Sequence, residues 1–507
     1  MPGILPVKHI LSYDFLYRDI LSFSFYTVNE GCGKIEQDSR LLNVVDKAEK
    51  TKICGNGTKE RMNHMSRLIG TFLGKSILLA ERVLHKDGST FPGKFVIKLF
   101  PKYLSKLKYP KDVIMVTGSS GKGSTTKIIA NMLRNCGKTV CHNLEGSNMI
   151  RGIASTMLKH VTWGGKIPED VIVLEVDERY LKEVTKYITP SLIVLNNLTR
   201  DQPPRQGNYD LVYREIEKGI TDSAELLCNG DDPITRQVVL KHPEKFHSFG
   251  INRLDTDFDD LPTAVKDCAY CPKCGKRMNY GWYHYGTVGD FSCPSCGYSR
   301  GTVDYAVTAA DTKAGTVTLN EKLKICVNPP LLFHMYNLAA AYGVADLMQL
   351  SPEKVAESLN VEVISEKIYN RLEKKGRTFV SISCKAENNA TYNLAHYYTL
   401  KQPGEKVLVM GLREISRRYS HFDLSWIYDL DMEALNVPEV QEVICAGPYA
   451  ADFALRCKLA GFAPEKIKTM ETLEGLAKEL KRTTGDVYGI LNFDYIPPFL
   501  EEVNQYK

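Results

Sequence analysis

Apolar residues recur along this chain in two rhythms. From Val113 to about residue 250, short apolar runs (VIMVTG, KTVCHN, DVIVLEVDE, PSLIVLNNL, AELLCNG) alternate with helically spaced segments such as TTKIIANMLRN, closed by Gly137. Apolar runs of strand length separated by helices predict βαβ units around a mainly parallel sheet. The alternation returns in the last 140 residues, where RTFVSIS, KVLVMGL, EVICAGP and VYGILNF read as strands and ADFALRCKLAGF and TLEGLAKELKR as helices. Between the two lie a cysteine-rich insertion at 262–303, a helical stretch HMYNLAAAYGVADLMQL and a hinge near 360–370. Residues 1–61 show little periodicity, and NGTKERMNH reads as a loop. From Met65, MSRLIGTFLGKSILLAERVLHK carries apolar residues at helical spacing. The basic, amphipathic KFVIKLFPKYLSKLKYPK that follows is open to two readings: a surface helix with snorkelling lysines, or a peripheral membrane contact.

Composition narrows this picture only modestly. A net charge of +5 over 507 residues gives no reason to expect nucleic acid as a partner. Charged residues interrupt the first apolar segment, and no uncharged stretch reaches the roughly 18 residues that cross a bilayer. The 14 cysteines are mostly scattered, which fits a reducing compartment, so a cytoplasmic location is expected, with the inner membrane face open.

Two local motifs carry chemistry. In TGSSGKGST, Gly118, Gly121 and Gly123 surround Lys122 between a strand and a helix, with Ser119, Ser124 and Thr125 beside them. Backbone N–H groups turned to one point, a helix N-terminus and a lysine predict a polyphosphate site, although the spacing differs from the common P-loop. Cys271, Cys274, Cys293 and Cys296 form two C-x2-C knuckles 18 residues apart. That spacing predicts a closed tetrahedral zinc site, structural because no coordination position stays open.

The phosphate loop resembles that of the Mur ligase superfamily, whose members use ATP to convert a carboxylate into an acyl phosphate that an amine then displaces. Further segments match in order. The resemblance implies that Glu175 in LEVDE binds Mg²⁺, with Ser124 a second ligand, and that Asn229 and Asp231 in NGDDP lie near the nucleotide. It also implies that Asn337 in YNLAAA touches adenine and that Arg371 in NRLE reaches the phosphates. The zinc ribbon, GSNMIRGI, NNLTRDQ and DLSWIYDLDME are similar to the MurT branch, the synthetase subunits of lipid II isoglutaminyl synthase. Membership of that branch implies amidation of the D-glutamate α-carboxylate in the lipid II stem peptide, with ammonia from a GatD-like glutaminase subunit. The catalytic set would be Lys122, Glu175 and the motif's Asp423, the last otherwise readable as a helix cap.

The implied fold is α/β: an extension at 1–61, a Mur ligase central ATP-binding domain at 62–361 with the ribbon inserted, and a Rossmann-like MurT-type domain at 362–507. Departures from the branch leave two alternatives standing. The loop is closer to the folylpolyglutamate synthase type than to GTNGKTTT, CKAENNATYN keeps Lys385 but loses a proline and glycine, and MGLREISRRYSHFD lacks the usual loop before Asp423. Those alternatives are a stand-alone ligase joining an amino acid to another carboxylate, and an inactive scaffold.

Overall fold

The computed structural model describes residues 56–85, 90–143, 146–201, 208–260, 267–327, 329–360, 364–413 and 423–506. Most of the 1–61 extension, the start of the cysteine-rich insertion, part of the expected hinge and most of the loop before Asp423 lie outside them.

The first sheet has nine strands: β1 (Asp112–Thr117), β2 (Val140–His142), β3 (Val171–Glu175), β4 (Leu192–Leu195), β5 (Glu225–Asn229), β6 (Phe246–Ile251), β9 (Tyr305–Asp311), β10 (Thr316–Leu319) and β11 (Leu323–Cys326). Their order is β11-β10-β9-β6-β5-β4-β1-β3-β2, parallel from β2 to β9 and antiparallel over the last two pairings. Successive strand residues enter opposite layers: Ile114, Val116, Val173 and Val194 pack on one face, and Val113, Met115, Ile172 and Ile193 on the other. Burial on both faces explains why these strands read as unbroken apolar runs. Between β6 and β9 the chain forms a separate hairpin, β7 (Asn279–Tyr285) and β8 (Val288–Ser292), which carries the four cysteines on its flanks.

The second sheet comprises β12 (Tyr369–Lys374), β13 (Arg377–Cys384), β14 (Lys406–Gly411), β15 (Val440–Ala446), β16 (Ile467–Met470) and β17 (Asp486–Asn492). Its order is β12-β13-β17-β14-β15-β16. All neighbours are parallel except the β12–β13 pair. Leu408 and Met410 of β14 face one apolar layer, and Val407 and Val409 the other. The mixed α/β architecture with parallel sheets is the one expected from the sequence.

Two local readings change. The helix expected from Met65 begins at Asn56, so NGTKERMNH is helical; its lysine, glutamate and arginine are good helix formers, which a search for apolar periodicity overlooks. The basic segment after it is not one helix: Phe91–Leu99 is helical, and a single 3₁₀ turn, Leu104–Lys106, follows Pro101.

Candidate active site

Strand β1 lies between β3 and β4, and all three run in the same direction. The segments leaving their carboxyl ends therefore converge, as expected at the edge where open α/β sheets bind ligands. The first is the glycine loop. Gly118 and Gly121 take φ values of 136° and 77°, and a Cβ on Gly118 would lie 2.9 Å from the Asn197 carbonyl oxygen, so a side chain fits there neither sterically nor conformationally. The helix Lys122–Asn135 starts directly from this turn.

Asn197 holds the loop in shape: its Oδ1 accepts from the Ser120 N–H at 2.9 Å, its Nδ2 donates to the Ser120 carbonyl at 3.1 Å, and its own carbonyl accepts from the Ser119 N–H at 2.8 Å. Behind the loop, Thr125 Oγ1 donates to Asn337 Oδ1 at 2.9 Å and accepts from Asn196 Nδ2 at 2.8 Å. Lys122 Nζ donates to Glu178 Oε2 at 2.8 Å and to the Gly118 carbonyl at 2.5 Å. Burial would lower the lysine pKa, but Glu178, with Asp201 and Asp177 behind it, outweighs that and raises it, so the ammonium stays charged.

A cavity of about 1160 Å³ opens in front of the loop. Ser119, Ser120, Gly121, Lys122, Gly123, Ser124, Glu175, Asn337 and Arg371 line it. Glu175 stands at the end of β3 with Oε1 accepting from Asn148 Nδ2 at 3.0 Å, and a Cβ on Gly123 would lie 3.3 Å from its Oε2. A carboxylate at a strand end and the Ser124 hydroxyl, both on the wall beside the loop, suit a hard cation that prefers oxygen ligands.

Several expected residues stand elsewhere. Thr125 is fully buried and spent on Asn196 and Asn337, so it supports the loop from behind. Asn229 and Asp231 are also off the cavity wall. Asn229 Oδ1 caps the Asp231 N–H at 3.0 Å, and Asp231 accepts from Arg300 Nε at 2.7 Å, Tyr336 Oη at 2.9 Å and the Ile251 N–H at 2.7 Å. NGDDP acts on the loop indirectly, through Asp232 Oδ2, which accepts the Leu198 N–H at 2.8 Å. Asp423 does not line the cavity; its Oδ1 accepts from the Ser425 N–H at 2.9 Å and opens the 3₁₀ turn Ser425–Asp429 in the manner of a cap. In that turn Trp426 is buried against Tyr392, while Tyr428 is exposed.

The cysteines do converge. Their four sulfurs lie within 4.8 Å of one another, with Cys271–Cys296 at 3.6 Å and Cys274–Cys293 at 3.5 Å. A tetrahedron of Zn–S bonds of about 2.3 Å has edges of about 3.8 Å, so the set fits zinc. Each knuckle repeats one bonding pattern: Gly275 N–H to the Cys271 carbonyl and Gly297 N–H to the Cys293 carbonyl.

Sequence reasoning singled out NNLTRDQ and Lys385 but not their role in tying the two sheets together. Arg200 Nη1 donates to Asp429 Oδ2 at 2.6 Å and its Nε pairs with Asp267. Asp201 accepts from Asn388 Nδ2 at 3.0 Å and pairs with Lys385, whose Nζ also lies 3.3 Å from the Ser119 carbonyl of the loop. The available signal was the string of polar residues NNLTRD directly after an apolar strand.

A two-sheet α/β chain with a glycine–lysine loop at the carboxyl edge of the first sheet, faced by cations from the second, resembles the Mur ligase superfamily. The Mur ligase middle domain family matches residues 116–266. Among solved structures, a pseudomurein peptide ligase type C from Methanothermus fervidus superposes with a TM-score of 0.62 at 19% identity, over 82% of this chain and 84% of that one, which establishes the likeness of fold.

Within the superfamily the chain is MurT-like: the MurT ligase C-terminal family matches residues 386–494. The chain is 29% identical over 438 residues to the lipid II isoglutaminyl synthase (glutamine-hydrolyzing) subunit MurT of Staphylococcus aureus, covering 85% of this chain and 97% of that protein. It is 27% identical over 405 residues to the Streptococcus pneumoniae subunit of the same name, covering 78% and 87%.

Proposed function

We propose that this chain is the ATP-dependent synthetase half of an enzyme that amidates the D-glutamate α-carboxylate in the stem peptide of lipid II, in cell-wall synthesis. The observation that carries the reading is Lys385: this cation, between the end of β13 and the residues 386–494 that the MurT ligase C-terminal family matches, meets the phosphate loop of the first sheet at Ser119. In this reading residues 62–361 bind ATP, residues 362–507 face a glutaminase subunit of the GatD kind, and the work is done in the cytoplasm. Among the described residues no helix is long and apolar enough to cross a membrane.

The chemistry balances in two displacements. A carboxylate oxygen attacks the γ-phosphorus, the bond to the β-phosphate oxygen breaks, and ADP leaves. Ammonia then attacks the acyl carbon, the carbon–oxygen bond to phosphate breaks, and inorganic phosphate and a proton depart with the amide formed. Lys122 exchanges Glu178 for phosphate oxygens, the N-terminus of the helix Lys122–Asn135 adds its partial positive charge, and Arg371 and Lys385 balance the charge that builds up during transfer. Glu175 and Ser124 would hold Mg²⁺, which supplies charge neutralisation on the phosphates. Asn337, its carbonyl oxygen held by Thr125, offers its amide N–H to the base. Asp423 serves the ammonia side from the second domain, where the partner docks.

Mass spectrometry of lipid II incubated with the chain, Mg-ATP and ammonium tests the reading, with Asp423→Asn in parallel. Conversion of the glutamate to isoglutamine, lost or strongly weakened in the variant, is the expected result. Unmodified lipid II alongside competent ATP binding would overturn it and move the search to other carboxylates and amino-acid nucleophiles.

A further inference from the structure

The helix Asn56–Val83 is turned inside out relative to an ordinary surface helix. Its inward face, from residue 67 on, is small and polar: Arg67, Gly70, Thr71 and Gly74 are buried. A Cβ on Gly70 would lie 2.9 Å from the Tyr103 ring and one on Gly74 2.5 Å from Leu158, so the helix lies against its own body through glycines, and Thr71 Oγ1 and Tyr103 Oη share a hydrogen bond of 2.9 Å. The opposite face holds Met65, Ile69, Phe72, Leu79 and Val83, each between 45% and 70% exposed. Their spacing keeps them in one stripe of about 27 Å at 1.5 Å per residue. A surface helix normally buries this stripe and exposes the other.

Charge identifies what covers it. Among the described residues from 63 to 111 there are nine lysines and arginines and a single acid, Glu81, although the whole chain carries only +5. Lys94, Lys98, Lys102, Lys108 and Lys111 are exposed. A second copy docking through the same face would set this cationic field against itself. Residues 1–55 hold seven lysines and arginines and seven acids, so they bring no excess negative charge to meet it. An apolar stripe on a single helix, within a strongly basic segment, matches the surface of an anionic bilayer: the apolar side chains enter the acyl boundary while the cations meet headgroups.

We propose that the helix from Met65 to Val83, with the lysines of 94–111, is a peripheral docking surface for anionic lipid membranes. It needs no catalysis, so it stands or falls separately from the amidation reading; under that reading it would bring the ATP site to a lipid-linked substrate.

The test is co-sedimentation of the full chain with vesicles of equal parts phosphatidylglycerol and phosphatidylcholine, against vesicles of phosphatidylcholine alone. Binding to the anionic vesicles is expected to be at least about tenfold stronger and to collapse in about 0.5 M sodium chloride. Ile69→Asp with Phe72→Asp, both on the solvent face, should lower it by about tenfold or more, as should Lys94→Glu with Lys98→Glu and Lys102→Glu. Nucleotide binding, measured on the same preparations, should not change in either variant, which confirms that they fold. Equal binding to both vesicle types, or unchanged binding by the aspartate variant, overturns the proposal. Loss of glutaminase capture by that variant with vesicle binding intact does so too, and assigns the stripe to a protein partner.

Discussion

At the scale of single residues, the phosphate site is a lysine waiting on a carboxylate. Lys122 and Glu178 are both buried and 2.8 Å apart, so removing either takes a charged neighbour from the other. Burial, the largest influence on Glu178, raises its pKa, and Lys122 offsets only part of that. Lys122→Ala is therefore expected to have two effects with different remedies. ATP turnover should fall by about 100-fold or more, because a cation on the transferring phosphoryl is gone. Stability should fall by up to about 3 kcal/mol, because a buried acid loses its partner. Adding Glu178→Gln should recover most of the stability and none of the turnover. Chemical denaturation and ADP release measured on the same two proteins decide it, and turnover surviving the single substitution would sink the loop assignment. The sequence displayed half of this pair. Lys122 sits in a local motif that announces a phosphate, while Glu178 comes from the end of a different strand 56 residues on and meets it only because β3 lies beside β1. The same limit explains Thr125, Asn229 and Asp231: proximity in sequence to a loop, or likeness of a short segment, does not tell the front of a wall from its back.

At the scale of elements, the four-cysteine cluster was legible and the attachment of its hairpin was not. Two C-x2-C knuckles are short-range chemistry, so four sulfurs within 4.8 Å follow almost from spacing alone. What anchors the hairpin is a buried charge cluster assembled from distant segments. His284 of β7 has Nδ1 2.8 Å from Asp257 Oδ1 and Nε2 3.0 Å from the Ile251 carbonyl. Both neighbours only accept, so both ring nitrogens donate and the imidazole is charged. Burial opposes that charge, but the nearby Asp231 and Asp257 carboxylates outweigh it and raise the pKa. A group whose pKa is higher in the folded state stabilises fully below its unfolded value of about 6.5 and ceases to as pH rises through the folded value. The stability difference between the native chain and His284→Gln should thus be largest below about pH 6.5 and shrink toward alkaline pH. Melting curves across that range check the slope, and a difference independent of pH would mean the ring is neutral. Because His284 and Tyr285 also line the cavity, stripping zinc should do more than loosen a surface loop. One zinc per chain, released by a chelator with four thiols freed, is expected to lower the melting temperature and weaken ATP binding, with metal replacement restoring both. Melting unchanged after complete zinc loss would contradict a structural role.

At the scale of the whole molecule, the two sheets meet through a few charged residues placed next to the phosphate loop. Arg200 joins Asp267 and Asp429, and Asp201 joins Asn388 and Lys385, so consecutive residues of one strand-end segment hold two different segments that flank the second sheet's strands. Burial works against charge on Arg200, but Asp267 and Asp429 prevail and raise its pKa. Asp201 is almost fully buried, and the Lys385 side chain is 38% exposed, so the pair adds little to global stability in solvent and its effect is geometric: it sets where Lys385 stands relative to Ser119. Correct placement of a cation beside a transferring phosphoryl is felt in kcat more than in ATP affinity, because the charge it answers is greatest in the transition state. Asp201→Asn is accordingly expected to lower kcat by about tenfold to a hundredfold while KM for ATP moves by less than about threefold. Lys385→Met should lower it at least as far. Combining the two should cost no more than Lys385→Met alone, since Asp201 acts through that lysine and has nothing left to position once it is gone. Steady-state ADP release by the four proteins of this cycle supplies the comparison. Additive losses would show that the two residues work separately, and that the second sheet's residues reach the loop by another route than the Asp201–Lys385 bridge.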